Sequence, residues 1–168
     1  MKTLTQHITE RLQLNRNRVR KYEYYPKTKE ELKDIIEDIT NKHKNDKIID
    51  LNIIDTSKIK DMSDLFIENK HNYNISEWDV SHVKNMSGMF YLSNFNNDIS
   101  QWDVSNVTTM FAMFKDSQFN QDISNWNVSK VKDFMFMFTD SAFKQDLTPW
   151  KNKIKNKDLE GYIKKYTK

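Results

Sequence analysis

Carboxylates recur along this chain at a fixed interval. Asp98, Asp122 and Asp146 stand 24 residues apart with Asn74 at the head of the series, and Asp55, Asp79 and Asp103 form a second series that ends at Asn127. Stacked into columns, such oxygens could chelate calcium or supply the paired acids of glycoside hydrolysis. Calcium-binding parallel β-rolls, however, place glycines in the loops that wrap the ion, and this chain has only Gly88 and Gly161. A regular ladder also provides no single acid set apart in an apolar pocket. The expected role is therefore structural: Asp and Asn side chains accept the N–H groups of tight returns, and neither a metal site nor a catalytic pair is assigned.

The remaining reactive residues are scattered. His7, His43, His71 and His82 lie in four different contexts without metal-ligand spacing. Cysteine is absent, which excludes disulfides, thiolate metal sites and lipid attachment through cysteine. Two glycines cannot build a phosphate-cradling loop, so no cofactor is expected and the chain reads as a non-enzyme. Asn-x-Ser/Thr occurs at Asn74, Asn85, Asn106 and Asn127, a motif without consequence unless the chain is exported.

The elements that position these residues follow from Trp78, Trp102, Trp126 and Trp150, which are also 24 residues apart. From Trp102 one unit reads Trp-Asp-Val-Ser, then Val107, Met110, Met113, Phe114, Phe119, Asn120, Asp122, Ile123 and Ser124. The units from Trp78 and Trp126 repeat it, and a weaker one starts at Ile54, with His71 in the phenylalanine slot. Four units thus cover 54–149 without an insertion. A constant period of this size predicts an α/β repeat solenoid, in which each unit buries its apolar residues only against its neighbours. Each unit is expected to contain a short strand, a bend near Trp102 and one or two helical turns, because Val107, Met110, Met113 and Phe114 are spaced 3, 3 and 4 apart. Stacked strands about 4.8 Å apart would align equivalent residues in columns.

The flanks differ in charge from the repeats. Residues 54–149 hold 8 lysines and 13 acids, net −5, whereas the flanks hold 19 basic and 11 acidic residues, net +8. Residues 1–25 form a basic leader, in which Leu4, Ile8 and Leu12 could line one face of a short helix, and in which Arg11 to Tyr22 carries five positive charges and no negative one. Residues 26–53 are expected to be an N-terminal helical cap and first strand. Thr28 and Glu31 form a capping box, Leu32, Ile35, Ile36 and Ile39 a buried stripe over a helix at 28–43, and Ile48 to Ile54 the strand. Residues 150–168 are expected to form a C-terminal helical cap over 157–166 through Leu159, Tyr162, Ile163 and Tyr166.

The string Trp-Asp-Val-Ser-x-Val-x-x-Met-x-x-Met-Phe at 78–90 and 102–114, closed by Phe-Asn-x-Asp-Ile-Ser-x-Trp at 95–102 and 119–126, resembles the BspA-like leucine-rich-repeat family, including the mycoplasma-type lipoprotein repeat of unknown function. The resemblance covers 54–150. It implies a right-handed solenoid of the leucine-rich type and, from several bacterial members, surface adhesion and protein binding. Surface members carry a signal or a lipid-attached cysteine, and neither is found here, so a cytoplasmic location is expected. The first ten residues resemble the capsid-targeting peptides of internal head proteins in large tailed phages, which would imply a protein carried in the virion or one that inhibits a host defence enzyme.

Specificity for a partner should reside where the units differ. Ser63 and Ser87 give way to Phe111 and Met135 in later units, and Asp64 and Gly88 to Ala112 and Phe136. Tyr91 stands where later units have Lys115 and Thr139. Tyr91, Phe111, Met135 and Phe136 are therefore the candidate contacts for a protein partner, with internal packing between helical turns as the competing role. Nucleic acid could bind through the basic ends. No stretch reaches the roughly 18 apolar residues of a membrane span, and the sequence leaves the oligomeric state open.

Overall fold

The computed structural model describes residues 22–154 and 157–166. The expectations for residues 1–21 and for the Leu159 side chain lie outside the described residues.

Pro26 is followed by a helix over Lys29–Lys42, whose N-cap is Thr28. Its Oγ1 accepts the Glu31 N–H at 3.2 Å, while Glu31 Oε2 accepts the Lys27 N–H at 2.6 Å. The reciprocal bond of the capping box thus falls one residue before the cap. Leu32, Ile36 and Ile39 are buried and Ile35 is partly buried against the core, which is the expected stripe.

The strand expected from Ile48 to Ile54 is cut to Ile49–Asp50, which pairs in parallel with Tyr73–Asn74 in the register Ile49 to Tyr73. Asp50 ends it by turning its carboxylate onto the Asn52 N–H, and the Ile54 N–H closes a turn on the Leu51 carbonyl. Isolated parallel bridges join Asp61 to Asn85, Asn85 to Thr109 and Thr109 to Asp133. Each pairing, like Ile49 with Tyr73, joins residues 24 apart.

No α-helix forms among the repeated units, and the 3-10 turn Thr148–Trp150 comes only at the end of the last one, which corrects the helical turns expected from Val107, Met110, Met113 and Phe114. The N–H groups of Met110, Ala112, Phe114 and Asp116 cross to the carbonyls of Asp133, Met135, Met137 and Thr139 at 2.8–2.9 Å, while Met113, Lys115 and Ser117 fold back on Met110, Ala112 and Phe114. Two left-handed residues per unit enforce this alternation: Asp64 and Glu68, Gly88 and Leu92, Ala112 and Asp116, Phe136 and Asp140. An α-helix cannot propagate through positive φ, so half the N–H groups are spent between units. The spacing of 3 and 4 still marks burial, since Val107, Met110, Met113 and Phe114 are all fully enclosed.

Every unit also turns on side chains that accept the N–H two residues on. Asp98, Asp122 and Asp146 accept from Ser100, Ser124 and Thr148, and Asp79, Asp103 and Asn127 from Ser81, Ser105 and Ser129. Two further columns do the same: Asp61, Asn85, Thr109 and Asp133 in one, and Asn69, Ser93, Ser117 and Ser141 in the other. The bend expected near Trp102 is a turn closed by its N–H on the Ile99 carbonyl, repeated at Trp78 and Trp126.

Aromatic stacks fill the interior. Phe66, Phe90, Phe114 and Phe138 lie 5.4–5.9 Å apart with nearly parallel planes, Phe95, Phe119 and Phe143 follow at 6.2 Å, and Trp102 lies 6.5 Å from Trp126. Each buried indole reaches back one unit, so that Trp78, Trp102, Trp126 and Trp150 donate Nε1–H to the carbonyls of Leu51, Ile75, Ile99 and Ile123 at 2.9–3.2 Å. His71 is half-buried, and the ring packed on Phe66 at 5.0 Å is Tyr73.

After the last unit, the helix Lys157–Ile163 continues into a 3-10 turn, Lys164–Tyr166. The Tyr162 hydroxyl accepts the Phe138 N–H at 3.0 Å, and Leu147 donates to the Tyr166 carbonyl at 2.7 Å. Tyr166 packs edge-on to Phe138 and Phe143.

Candidate interaction surface

The alternation that replaces the helical turns decides which side chains reach solvent. Phe111, Met135 and Phe136 are 41%, 51% and 44% exposed, so each presents a large part of its side chain to solvent. Phe111 and Phe136 meet edge to face, with centroids 5.6 Å apart at 86°, and Met135 adjoins Phe136 in the chain. Ala112, from the same variable slots, is buried.

Tyr91 is half-buried and makes no ring contact with that pair. The Lys115 ammonium lies 4.9 Å from its ring centroid and is ion-paired with Asp116. Ile67, 24 residues before Tyr91, is 43% exposed and extends the same face. Sequence reasoning missed it; its slot, shared with Tyr91, was the available signal. Six large apolar side chains are exposed among the described residues, and four of them, Ile67, Phe111, Met135 and Phe136, lie on this face. Concentration on one face is what distinguishes an interaction patch from the scattered apolar exposure of an ordinary surface.

Phe136 also has a φ of 59°. A bulky residue in the left-handed region is a strained outlier, and the slot carries Asp64, Gly88 and Ala112 in the earlier units. The strain brings no burial to the interior, because the ring projects outward.

The carboxylates, by contrast, are engaged within the fold. The Ser81 hydroxyl, opposed by burial and aided by the Ser81 amide, holds Asp79 below the ordinary carboxylate range. The hydroxyl and amide of Ser105 do the same for Asp103. Burial raises Asp61, but bonds from Ser63 and Asn85 and the charge of Lys29 outweigh it, and the net shift is downward. Among the described residues, no three His, Asp or Glu side chains converge as a metal site. A shallow polar groove lined by Asp98, Ser100, Gln121, Asp122, Ser124 and Asn125 runs along one aspartate column. His43 pairs with Asp46 and His82 with Ser81, each by itself.

Residues 31–150 match the family described as Mycoplasma protein of unknown function, DUF285. The chain belongs to this family. The match takes in most of the N-terminal helix together with the whole run of units up to Trp150. No curated protein and no solved structure matches the chain. Among the described residues, no helix is long and apolar enough to cross a membrane.

Proposed function

We propose that the chain is a capped α/β repeat solenoid of the BspA-like, leucine-rich type, and that it acts as a non-catalytic protein-binding module through Tyr91, Phe111, Met135 and Phe136. The hydrogen bonds and ring stacks between residues 24 apart support the first part of this reading. The observation that carries the second is a division of labour. Side chains repeated in every unit are used in turns and core, whereas the exposed apolar ones fall at slots where the units differ. Phe111, Met135 and Phe136 are exposed and grouped, and exposed aromatic and methionine side chains are the usual anchors of protein interfaces.

Affinity capture with the intact chain tests this, comparing Phe111→Ser with Asp103→Lys after circular dichroism has shown both to be folded. The Phe111 variant should lose the retained proteins and the Asp103 variant keep them. The reverse result would move the contact to the aspartate face and return Phe111 to a packing role. Repeating the capture at high salt separates protein from nucleic acid, whose phosphate contacts weaken steeply as salt rises.

A further inference from the structure

The exposed apolar face has a charge of its own. The stretches 61–68, 85–92, 109–116 and 133–140, stacked by the inter-unit bonds, contain six acids, Asp61, Asp64, Glu68, Asp116, Asp133 and Asp140, against the single base Lys115. Lys115 is already taken by Asp116, and Lys29 from the N-terminal helix reaches Asp61 at 3.6 Å. Asp64, Glu68 and Asp140 remain exposed around the apolar centre, and Asp140 lies within the electrostatic reach of Lys115 and of Lys165 from the C-terminal turn. Backbone donors are also open at the end of the last unit. The N–H groups of Met110, Ala112 and Asp116 go to the carbonyls of Asp133, Met135 and Thr139, but no described residue accepts those of Phe134, Phe136 and Asp140, although the Tyr162 hydroxyl takes that of Phe138.

Resting on the docking role proposed above, we infer that the occupant of this face is an extended, Lys- or Arg-rich segment of a partner protein carrying at least one large apolar side chain. The apolar side chain packs on Phe111, Met135 and Phe136, a backbone carbonyl accepts the Phe136 N–H, and the basic residues face Asp140, Asp64 and Glu68. Three unit spacings of about 4.8 Å separate the column positions of Ile67 and Thr139, a span of roughly five extended residues. A negative rim selects such a segment over an acidic one, because like charges held together across an interface are repulsive.

The test uses the intact chain and three fluorescein-labelled decapeptides: one of Lys, Leu and Tyr, one with Glu replacing Lys, and one with Ser replacing Leu and Tyr. By anisotropy, the first should bind at least about tenfold more tightly than the others, and Phe111→Ser or Phe136→Gly should each weaken it by about tenfold. Its affinity should fall between about 0.05 and 0.3 M salt, as screening of the rim requires. Equal binding of the Glu peptide that still depends on Phe111 would overturn the basic partner and leave the docking face standing. Binding indifferent to both phenylalanine variants would overturn the two together. Two further results on amide spectra, without peptide, would reassign the occupant and overturn the partner segment. Shifts at 109–116 and 133–140 that grow with protein concentration would mean a second copy, and shifts on changing Arg16, Arg18 and Arg20 to Glu would mean the chain's own N-terminal segment.

Discussion

Replacing Trp102 by Ala removes a side chain that is 4% exposed, lies parallel to the Trp126 indole at 6.5 Å and donates Nε1–H to the Ile75 carbonyl at 3.1 Å. Deleting a buried aromatic costs about 3–5 kcal/mol through lost transfer energy and the cavity left behind. Ile75 is itself fully buried, so its carbonyl loses a partner that water cannot easily replace, a further penalty of about 1–3 kcal/mol. The loss should therefore lie at or above the top of the cavity range. Trp102→Phe divides the two contributions, since it keeps a ring on Trp126 while removing the donor. Thr28→Ala provides the contrast at the edge of the fold, where one capping bond is worth about 0.5–2 kcal/mol. Urea denaturation followed by circular dichroism should rank the losses Trp102→Ala, Trp102→Phe, Thr28→Ala. If Trp102→Ala costs no more than Thr28→Ala, the indole column does not hold the units together and the account of the core is wrong.

Phe136→Gly should change stability by no more than about 1 kcal/mol, because relief of the left-handed strain offsets glycine's entropy cost and the loss of a half-exposed ring; Phe138→Ala, two residues on and buried, should cost about 3–5 kcal/mol in the same urea experiment. Gly88→Ala should destabilise by about 1–2 kcal/mol, chiefly from its φ of +62°, since the close contact of a new Cβ is with the rotatable Asp64 carboxylate and Ala112 already occupies the equivalent slot. The carboxyls of Asp61, Asp79 and Asp103 titrate below their ordinary value in the folded chain, so the stability they contribute is complete above about pH 4 and is lost as pH falls through their folded pKa values. Asp103→Asn keeps the turn acceptor that Asn127 supplies one unit later and removes the titration, so its urea midpoint should fall less between neutral pH and pH 3 than that of the parent chain.

Much of this organisation is written in the period. The recurrence of Trp and Phe gives the register of the stacks, and Thr28 with Glu31 marks the start of the first helix. The side chains of Asp98 and Asp103 accept turn N–H groups as their residue type suggests. A spacing of 3 and 4 records only which side chains are buried and does not specify a helical turn. Positive φ falls on Gly88, Asp64, Asp116 and Asp140, types that tolerate it, but also on Glu68, Leu92, Ala112 and Phe136, which do not signal it, and the inter-unit bonds that fix it are non-local. One of the four turn columns is hidden for a related reason: Asp61, Asn85, Thr109 and Asp133 share an acceptor oxygen without sharing a residue type. On the candidate face, variation between units pointed to Phe111, Met135 and Phe136, but only exposure separates them from Ala112 and adds Ile67.

The proposal that repeated side chains build the fold while variable apolar ones bind is tested most directly by an amide shift map of the intact chain during titration with the protein it captures. The account predicts that the largest shifts fall at 109–116 and 133–140, with the Phe136 amide among them. Largest shifts along the groove of Asp98, Ser100, Asp122 and Asn125, with Phe136 unmoved, would contradict it.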